Sequence, residues 1–131
     1  SDKTSRVIRE LFRENVQVGT GKKANVKGYK IGGKTATGQK TSKKGGYNTK
    51  KRVSSFVAIF PSNNPKYLVT VLYDEPISKK STNQATGGWT AAPIAGKIIN
   101  RIAPILGEVR DISEEKHIVI LDEEYLKNAT Y

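Results

Sequence analysis

Cysteine and methionine are absent from the 131 residues of this chain, and histidine occurs once, at His117. Without cysteine the chain forms no disulfide bond and no zinc–thiolate site, and a single histidine excludes a metal-binding histidine cluster. No apolar run reaches the roughly 18 residues from which a membrane-spanning helix is built. We therefore expect no metal, no other cofactor and no membrane span in this chain. The missing methionine suggests that a start residue was removed or that the chain is cut from a longer one.

Acidic residues are scarce in the first part of the chain. Residues 1–60 contain 15 Lys+Arg against 3 Asp+Glu, a net charge of +12, whereas residues 61–131 contain 8 against 9, a net charge of −1. A basic half of this kind is typical of a nucleic-acid-binding module, of a surface facing anionic lipid or cell wall, or of a solvated surface. Aromatic residues are not interleaved with the lysines, so nucleic acid is not the expected partner.

The stretch Gly28–Gln39 places Lys34 and two threonines among glycines. Residues 28–35 fit G-x-x-x-x-G-K-[ST], the phosphate loop whose backbone N–H groups hold phosphates while its lysine reaches the outer ones. Such a loop follows a buried strand and opens a helix. The residues on both sides are rich in lysine, glycine and threonine and are typical of neither. A nucleotide-binding protein using residues 28–35 remains the alternative interpretation, beside the basic nucleic-acid-binding module.

The same stretch also has the aromatic and β-branched residues of an extended strand. In a strand, Lys34 and Ala36 point to one face, and Thr35 and Thr37 point to the other. The glycines between and around them, such as Gly33, indicate close approach by a ligand or by another segment of backbone. This interpretation makes the stretch one wall of a binding site rather than a phosphate loop.

Four further segments predict an α+β fold. Thr4–Asn15 has the apolar periodicity of a helix, Val53–Phe60 and Tyr67–Asp74 are strand-like runs joined by a turn, and a second amphipathic helix begins at Thr90. We expect a partial antiparallel sheet, made of the motif strand plus the hairpin, packed against the N-terminal and C-terminal helices.

Four details of this arrangement are also predicted. Thr90 should cap the last helix and Gly107 should end it. Gln39–Lys51 should be a mobile loop, because lysine, glycine and threonine dominate it. The hairpin should be covered on both faces, because neither of its strands alternates cleanly between apolar and polar residues.

The motif Lys34-Thr35, preceded by two glycines and followed by Thr37 and Gln39, resembles the Lys-Thr-Gly strand of penicillin-binding proteins and serine β-lactamases. Other segments resemble the same family in unbroken order from about Thr4 to Gly107: Gly19–Ala24, Gly28-Tyr29, Phe56–Pro61, Tyr67–Val71 and Gly87–Pro93. The whole is most similar to a class B penicillin-binding protein, a peptidoglycan D,D-transpeptidase, and within that class to the cell-division enzyme. The family has glycine where this chain has Ala36, with Gly38 two positions later.

The resemblance implies catalytic roles for Lys34 and Thr37 and substrate contacts for Gly33, Thr35, Ala36 and Thr37. The Lys34 ammonium would belong to the proton and anion network of the site. The hydroxyls of Thr35 and Thr37 would bind the terminal carboxylate of the substrate, and the Thr37 N–H would form half of the oxyanion hole. Strand alternation puts Lys34 and Thr35 on opposite faces, so we expect an edge strand with a twist or bulge to bring both into one site.

The family's attacking serine belongs to a Ser-x-x-Lys motif, and a Ser-x-Asn motif follows it, both before the Lys-Thr strand. Ser113–Lys116, Ser62–Asn64 and Ser81–Asn83 spell these patterns, but all of them follow Lys34. Ser113 is better explained as a helix cap, and Ser62–Asn64 as a turn. The resemblance therefore predicts a C-terminal portion of a transpeptidase domain that lacks the nucleophile and is inactive alone.

Further expectations follow from this resemblance. Residues 1–107 would belong to the transpeptidase domain and residues 108–131 would form an acidic tail. The intact protein would cross-link peptidoglycan stem peptides through an acyl-serine intermediate and would bind penicillin and other β-lactams. It would act in the bacterial cell envelope, on the periplasmic or extracytoplasmic side of the inner membrane, with any anchor outside this chain. The chain itself would associate with the missing N-terminal part of the domain or with itself.

Overall fold

The computed structural model describes residues 1–42, 45–77, 85–111 and 113. Within them the order of elements is helix, three strands, helix, with a short 3-10 helix before the first strand. The bounds are α1 Asp2–Gln17, the 3-10 helix Lys22–Ala24, β1 Gly32–Thr41, β2 Tyr47–Phe60, β3 Tyr67–Asp74 and α2 Ala91–Ile102. This confirms the predicted α+β fold. Neither α1 nor α2 has the length and apolar content needed to cross a lipid bilayer.

The three strands form an antiparallel sheet in the order β1-β2-β3, so β1 lies at one edge of the described sheet. Lys34 pairs with Val57, Thr35 pairs with Phe56, and Phe56 pairs in turn with Val71 of β3. Because side chains alternate along each strand, this register fixes which residues share a face. Thr35, Phe56 and Val71 lie on one face, and Lys34 and Val57 lie on the other.

The face of the sheet that meets α2, here called the inner face, contains most of the core. Its side chains in β2 and β3 are Ser54, Phe56, Ala58, Phe60, Tyr67, Val69 and Val71. They pack against the small and branched side chains of α2, chiefly Ala95 and Ile99, and Ile31 joins the same cluster. Burial of this apolar surface, worth about 25 cal/mol per Å², is the main force that holds helix and sheet together.

The opposite face, here called the outer face, is largely open in the described part of the chain. Leu68 and Leu72 of β3 are 66% and 63% exposed, and Lys34 and Ala36 of β1 are also exposed. Within the described residues, the prediction that the hairpin is covered on both faces is therefore wrong. Poor alternation of apolar and polar residues indicated two apolar faces, but the described part of the chain covers only one of them.

The predicted loop Gln39–Lys51 is also wrong in part, because most of it is strand. β1 runs to Thr41 and β2 begins at Tyr47, with a register shift between Gln39 and Lys40. The turn is tight: the Ser42 N–H donates to the Gly46 carbonyl at 2.9 Å. Pairing between β1 and β2 overrides the weak strand propensity of lysine and glycine here.

The ends of α2 differ from the prediction in two ways. Thr90 is the N-cap residue, but its hydroxyl donates to the Thr86 carbonyl at 2.8 Å instead of accepting from the first turn. The helix ends at Ile102 rather than at Gly107, which follows in a turn and adopts a positive φ of 77°.

The first residues of the predicted acidic tail contact the rest of the chain. The Glu108 carboxylate pairs with Lys66 at 2.7 Å, and the Asp111 N–H donates to the Gly28 carbonyl at 2.8 Å. The separation at residue 107 stays a prediction, and most of 108–131 lies outside the described residues.

Candidate functional site

The free edge of β1 exposes backbone groups of alternate residues. The Gly33 carbonyl accepts a hydrogen bond from Asn15 Nδ2 at 2.8 Å, and the Thr35 carbonyl accepts one from Lys34 Nζ at 2.8 Å. Neither donor belongs to β2, so both carbonyls point away from the sheet. Alternate residues of an antiparallel strand direct their N–H and C=O to the same side. The N–H and C=O of Thr37 therefore also point off the free edge.

Lys34 reaches this edge without a bulge. The pairing of β1 with β2 is regular from Gly32 to Gln39, and the register shift comes only after the motif. The edge position expected for the strand is confirmed, whereas the expected irregularity lies outside the motif. The Lys34 Cβ starts on the outer face, and its long side chain folds over the strand to place Nζ beside the Thr35 carbonyl.

Thr35 and Thr37 line a cleft of about 350 Å³ on the inner-face side of the edge. Two loops form its other walls: residues 19–23, which follow α1, and residues 86–89, which precede α2. Thr35 Oγ1 lies 2.9 Å from Thr20 Oγ1, and Thr37 Oγ1 accepts a hydrogen bond from the Gly87 N–H at 3.0 Å. Because the Thr37 oxygen accepts from Gly87, its own proton is free to point into the cleft.

The other two predicted substrate contacts, Gly33 and Ala36, do not line this cleft. Gly33 is buried under Phe56, and a Cβ there would lie 2.5 Å from Phe56 Cζ and 2.6 Å from the Val57 carbonyl oxygen. Its lack of a side chain thus has a packing cause. Ala36 is exposed on the outer face, so its methyl group points away from the cleft.

Sequence reasoning did not assign any site residue in the two loops. Trp89 is 50% exposed and lines the cleft, with Lys23 Nζ 4.1 Å from its ring centroid. Gly88 packs on the first loop, since a Cβ would lie 2.5 Å from the Thr20 carbonyl oxygen. The glycine pairs 19/21 and 87/88 were the available signal, because glycines mark close backbone approach.

One cluster of charged side chains on the described chain lies beyond the motif. Lys40 at the far end of β1 lies 2.6 Å from Asp74 and 2.8 Å from Glu75, and Lys51 lies 3.1 Å from Glu75. Hydrogen bonds from Lys40 and then Lys51 lower the pKa of Glu75 below its ordinary value. Bonds to Asp74 and Glu75 raise the pKa of Lys40. This cluster ties the hairpins together and contains no predicted site residue.

A larger hollow, of about 600 Å³, lies between α1 and the turn after β2. Its walls carry charges of both signs, including Arg9, Arg13, Glu10 and Glu14, and none of the predicted site residues. Its size alone does not assign it a function. No group of three or more metal-ligating side chains occurs in the described residues.

The phosphate-loop interpretation is wrong. Lys34 and Thr35 lie inside β1, and the chain continues after them as strand rather than as helix. The strand therefore offers no helix N-terminus to an anion, which is half of what such a loop requires.

Comparison with known proteins agrees with the geometry. Residues 1–100 match the family described as penicillin binding protein transpeptidase domain. The chain is 44% identical over 119 residues to a probable peptidoglycan D,D-transpeptidase FtsI of Caulobacter vibrioides, covering 84% of this chain and 20% of that protein. It is 42% identical over 107 residues to stage V sporulation protein D of Bacillus subtilis, covering 82% of this chain and 16% of that protein.

Solved structures show the same likeness. The apo transpeptidase domain of penicillin-binding protein 3 from Burkholderia pseudomallei superposes with a TM-score of 0.68 at 34% identity, covering 81% of this chain and 31% of that one. Penicillin-binding protein 3 from Mycobacterium tuberculosis, solved in complex with aztreonam, gives a TM-score of 0.62 at 26% identity, covering 80% and 24%. The chain thus spans about a fifth of the curated relatives and less than a third of these solved chains.

Proposed function

This chain belongs to the penicillin-binding protein transpeptidase family, and we propose that it supplies the Lys-Thr wall of the active site of a peptidoglycan D,D-transpeptidase. The intact protein cross-links stem peptides through an acyl-serine intermediate and is acylated by β-lactams. The attacking serine comes from a part of the domain outside this chain. The names of the relatives and the aztreonam complex of one of them support this reaction class.

The observation that carries the proposal is the arrangement along the free edge of β1. One edge strand presents an ammonium, two hydroxyls and an outward N–H within the four residues 34–37. Acyl transfer needs cationic or hydroxyl groups to hold the substrate, and an N–H donor to stabilise the oxyanion that develops on the attacked carbonyl.

Each group receives one role. The hydroxyls of Thr35 and Thr37 bind the terminal carboxylate of the stem peptide, and the outward N–H of Thr37 donates to the oxyanion. Lys34 Nζ exchanges its present bond to the Thr35 carbonyl for the serine and proton network of the complete site. In the reaction the serine oxygen bonds to the substrate carbonyl carbon and the terminal residue leaves. The amine of a second stem peptide then takes the acyl group from the serine.

Gly33 and Ala36 act by shape in this proposal. Gly33 lets β1 lie close to Phe56 and so sets the position of the edge. Ala36 is exposed on the outer face beside Lys34, where it meets the part of the site that the rest of the domain supplies.

The rest of the transpeptidase domain is the proposed partner of the outer face. Exposed leucines on β3 and the unpaired edge of β1 are surfaces that a complete domain would cover. Without that cover the isolated chain self-associates, which sedimentation at increasing concentration measures; a single monomeric species throughout would oppose this. In this proposal the complete protein acts in the bacterial cell envelope, on the extracytoplasmic side.

Intact-mass spectrometry after incubation with benzylpenicillin tests the function. The complete protein should gain the mass of one penicillin, attached to a serine that precedes Ser1 in the chain. The isolated 131-residue chain should gain none. A complete protein that stays unlabelled, or a label on a serine of this chain, would contradict the proposal.

A further inference from the structure

Two residues outside the Lys-Thr motif make a chain of hydrogen bonds that ends at Thr35. Asn15 Nδ2 donates to the Gly33 carbonyl at 2.8 Å, Thr20 Oγ1 donates to Asn15 Oδ1 at 3.1 Å, and Thr20 Oγ1 lies 2.9 Å from Thr35 Oγ1. These hydrogen bonds run from the last turn of α1, through the loop that follows it, to the wall of the cleft. The residues that make them are closely packed.

Packing fixes the Asn15 amide and the backbone of Thr20 in place. A Cβ at Gly19 would lie 2.5 Å from Asn15 Oδ1, and one at Gly21 would lie 2.9 Å from Asn15 Nδ2, so the loop wraps around the amide. On the other side, Gly88 lies against the Thr20 carbonyl. These contacts hold the Thr20 backbone, and hydrogen bonds to Asn15 and Thr35 hold its exposed hydroxyl.

The donor and acceptor capacity of the three side chains determines which of them donates in each hydrogen bond. The bond to the Gly33 carbonyl fixes the orientation of the Asn15 amide, because a flipped amide would bring two oxygens together. Asn15 Oδ1 only accepts, so Thr20 spends its single proton on Asn15. The Thr20 oxygen is then an acceptor, and without substrate the Thr35 hydroxyl donates to Thr20.

A carboxylate bound at Thr35 reverses the direction of the hydrogen bond between Thr35 and Thr20. Thr35 must turn its proton to the carboxylate, which leaves the oxygens of Thr35 and Thr20 facing each other without a proton between them. Thr20 removes that conflict by turning its own proton from Asn15 to Thr35. Two neutral hydrogen bonds are then replaced by one neutral bond and one to a charged acceptor, which is the stronger kind.

We propose that Asn15 and Thr20 are positioning residues that form, with Thr35, a two-state hydroxyl relay selecting a free carboxylate at the cleft. A carboxylate gains the charge-assisted bond and the polarisation of the hydroxyl behind it. An ester or amide in the same position accepts a weaker hydrogen bond from Thr35. It therefore compensates less well for the loss of the hydrogen bond from Thr20 to Asn15. The relay deepens the proposed transpeptidase site and rests on that function.

The test compares benzylpenicillin with its methyl ester on the complete protein. The readout is the ratio of the two second-order acylation rates, because general damage to the site lowers both rates and leaves their ratio unchanged. Thr20→Val keeps the shape but removes the hydroxyl, so the preference for the carboxylate should fall about 3- to 10-fold, as the loss of one hydrogen bond predicts.

Three comparison variants complete the design. Thr20→Ser restores the hydroxyl and should restore the ratio to within about twofold of wild type. Thr41→Val makes the same change at an exposed threonine at the far end of β1 and should leave the ratio unaltered. Asn15→Asp replaces the Nδ2 donor with an oxygen facing the Gly33 carbonyl and adds a negative charge beside the cleft, so the ratio should fall at least as far as in Thr20→Val, and this fall supports the relay only together with that of Thr20→Val.

The outcomes separate the relay from the function beneath it. If the wild-type protein is not acylated at all, the proposed function fails and the relay falls with it. If the wild type is acylated and Thr20→Val leaves the ratio unchanged, or lowers both rates equally, the relay is wrong and the transpeptidase site stands. If Thr20→Ser does not restore the ratio, the hydroxyl is not the cause.

Discussion

The two faces of the sheet differ in what covers them and in what they carry. The inner face is buried against α2, and Phe56, Ala58 and Phe60 on it are almost fully excluded from solvent. The outer face exposes Leu68, Leu72 and the start of the Lys34 side chain. Both faces belong to the same three strands, so the difference comes from the neighbours each one has.

This difference indicates that one face stabilises the fold and the other carries the site. The inner face drives folding, because among the described residues it is the face that buries a continuous apolar cluster. The outer face and the free edge of β1 contribute little to that stability and carry the groups proposed for chemistry. Mutations on the two faces should therefore separate stability from activity.

The largest expected effect comes from removing the central side chain of the inner face. Phe56→Ala should destabilise the chain by about 3–5 kcal/mol, because it deletes a buried ring and leaves a cavity under Gly33. Leu72→Ala on the outer face should cost under about 1 kcal/mol, since its side chain is already in water. Urea denaturation of both variants measures this, and equal costs would remove the distinction between the faces.

Lys34→Ala should lower activity strongly and change stability little. In the complete protein we expect acylation by fluorescent penicillin to slow by about 100-fold or more, as loss of a proton-transfer group does. The stability of the 131-residue chain should change by less than about 0.5 kcal/mol, because this lysine is exposed. Lys97→Ala, at an exposed position on α2, is the charge-matched control. Unchanged acylation in the Lys34 variant would remove the lysine from the site.

Two glycines of β1 sharpen the comparison within one strand. Gly33→Ala should cost about 1–3 kcal/mol, because the added methyl would overlap Phe56 and the Val57 carbonyl. Gly38→Ala should be nearly neutral, since nothing lies within 4 Å of a Cβ there. Thermal unfolding of the two variants measures both costs. A neutral Gly33→Ala would mean that Phe56 and the Val57 carbonyl do not pack tightly against Gly33.

The smallest effect is expected at the ion cluster beyond the motif. Hydrogen bonds from Lys40 and Lys51 lower the pKa of Glu75, so the stabilisation is present above the unfolded pKa and is lost as the pH falls through the folded one. Glu75→Gln should therefore make the melting temperature less sensitive to pH over the acid range from about pH 5 downward. Glu14→Gln, at an exposed helix position, is the control; an identical acid response in Glu75→Gln and wild type would show that the cluster contributes nothing.

Local patterns were enough to predict part of this fold. The periodicity of α1 and the apolar runs of β3 and the second half of β2 are properties of contiguous residues, and those elements were found. The first half of β2 was missed because its strand structure depends on pairing with β1. Which face of the hairpin is open was not predicted, because the apolar pattern marks a surface to be buried and does not say which segment buries it.

The site was also predictable only in part. Lys34, Thr35 and Thr37 followed from a contiguous motif, and the edge position of their strand followed from strand geometry. Asn15, Thr20 and Trp89 were not assigned to the site, since they meet β1 only through contacts distant in sequence. The glycines beside them were visible signs of close approach, but not of the partner they approach.

The measurement that tests the division between the faces most directly is the accessibility of a thiol placed on the outer face. This chain has no cysteine, so Leu72→Cys introduces one probe, and Ile77→Cys, at a residue 94% exposed, provides the control. Maleimide labelling, resolved by peptide mass spectrometry, compares the isolated chain with the complete protein. We predict rapid labelling of both positions in the isolated chain, at concentrations low enough to keep it monomeric, and strong protection of position 72 alone in the complete protein. Equal labelling of position 72 in both would contradict the claim that the rest of the domain completes the outer face.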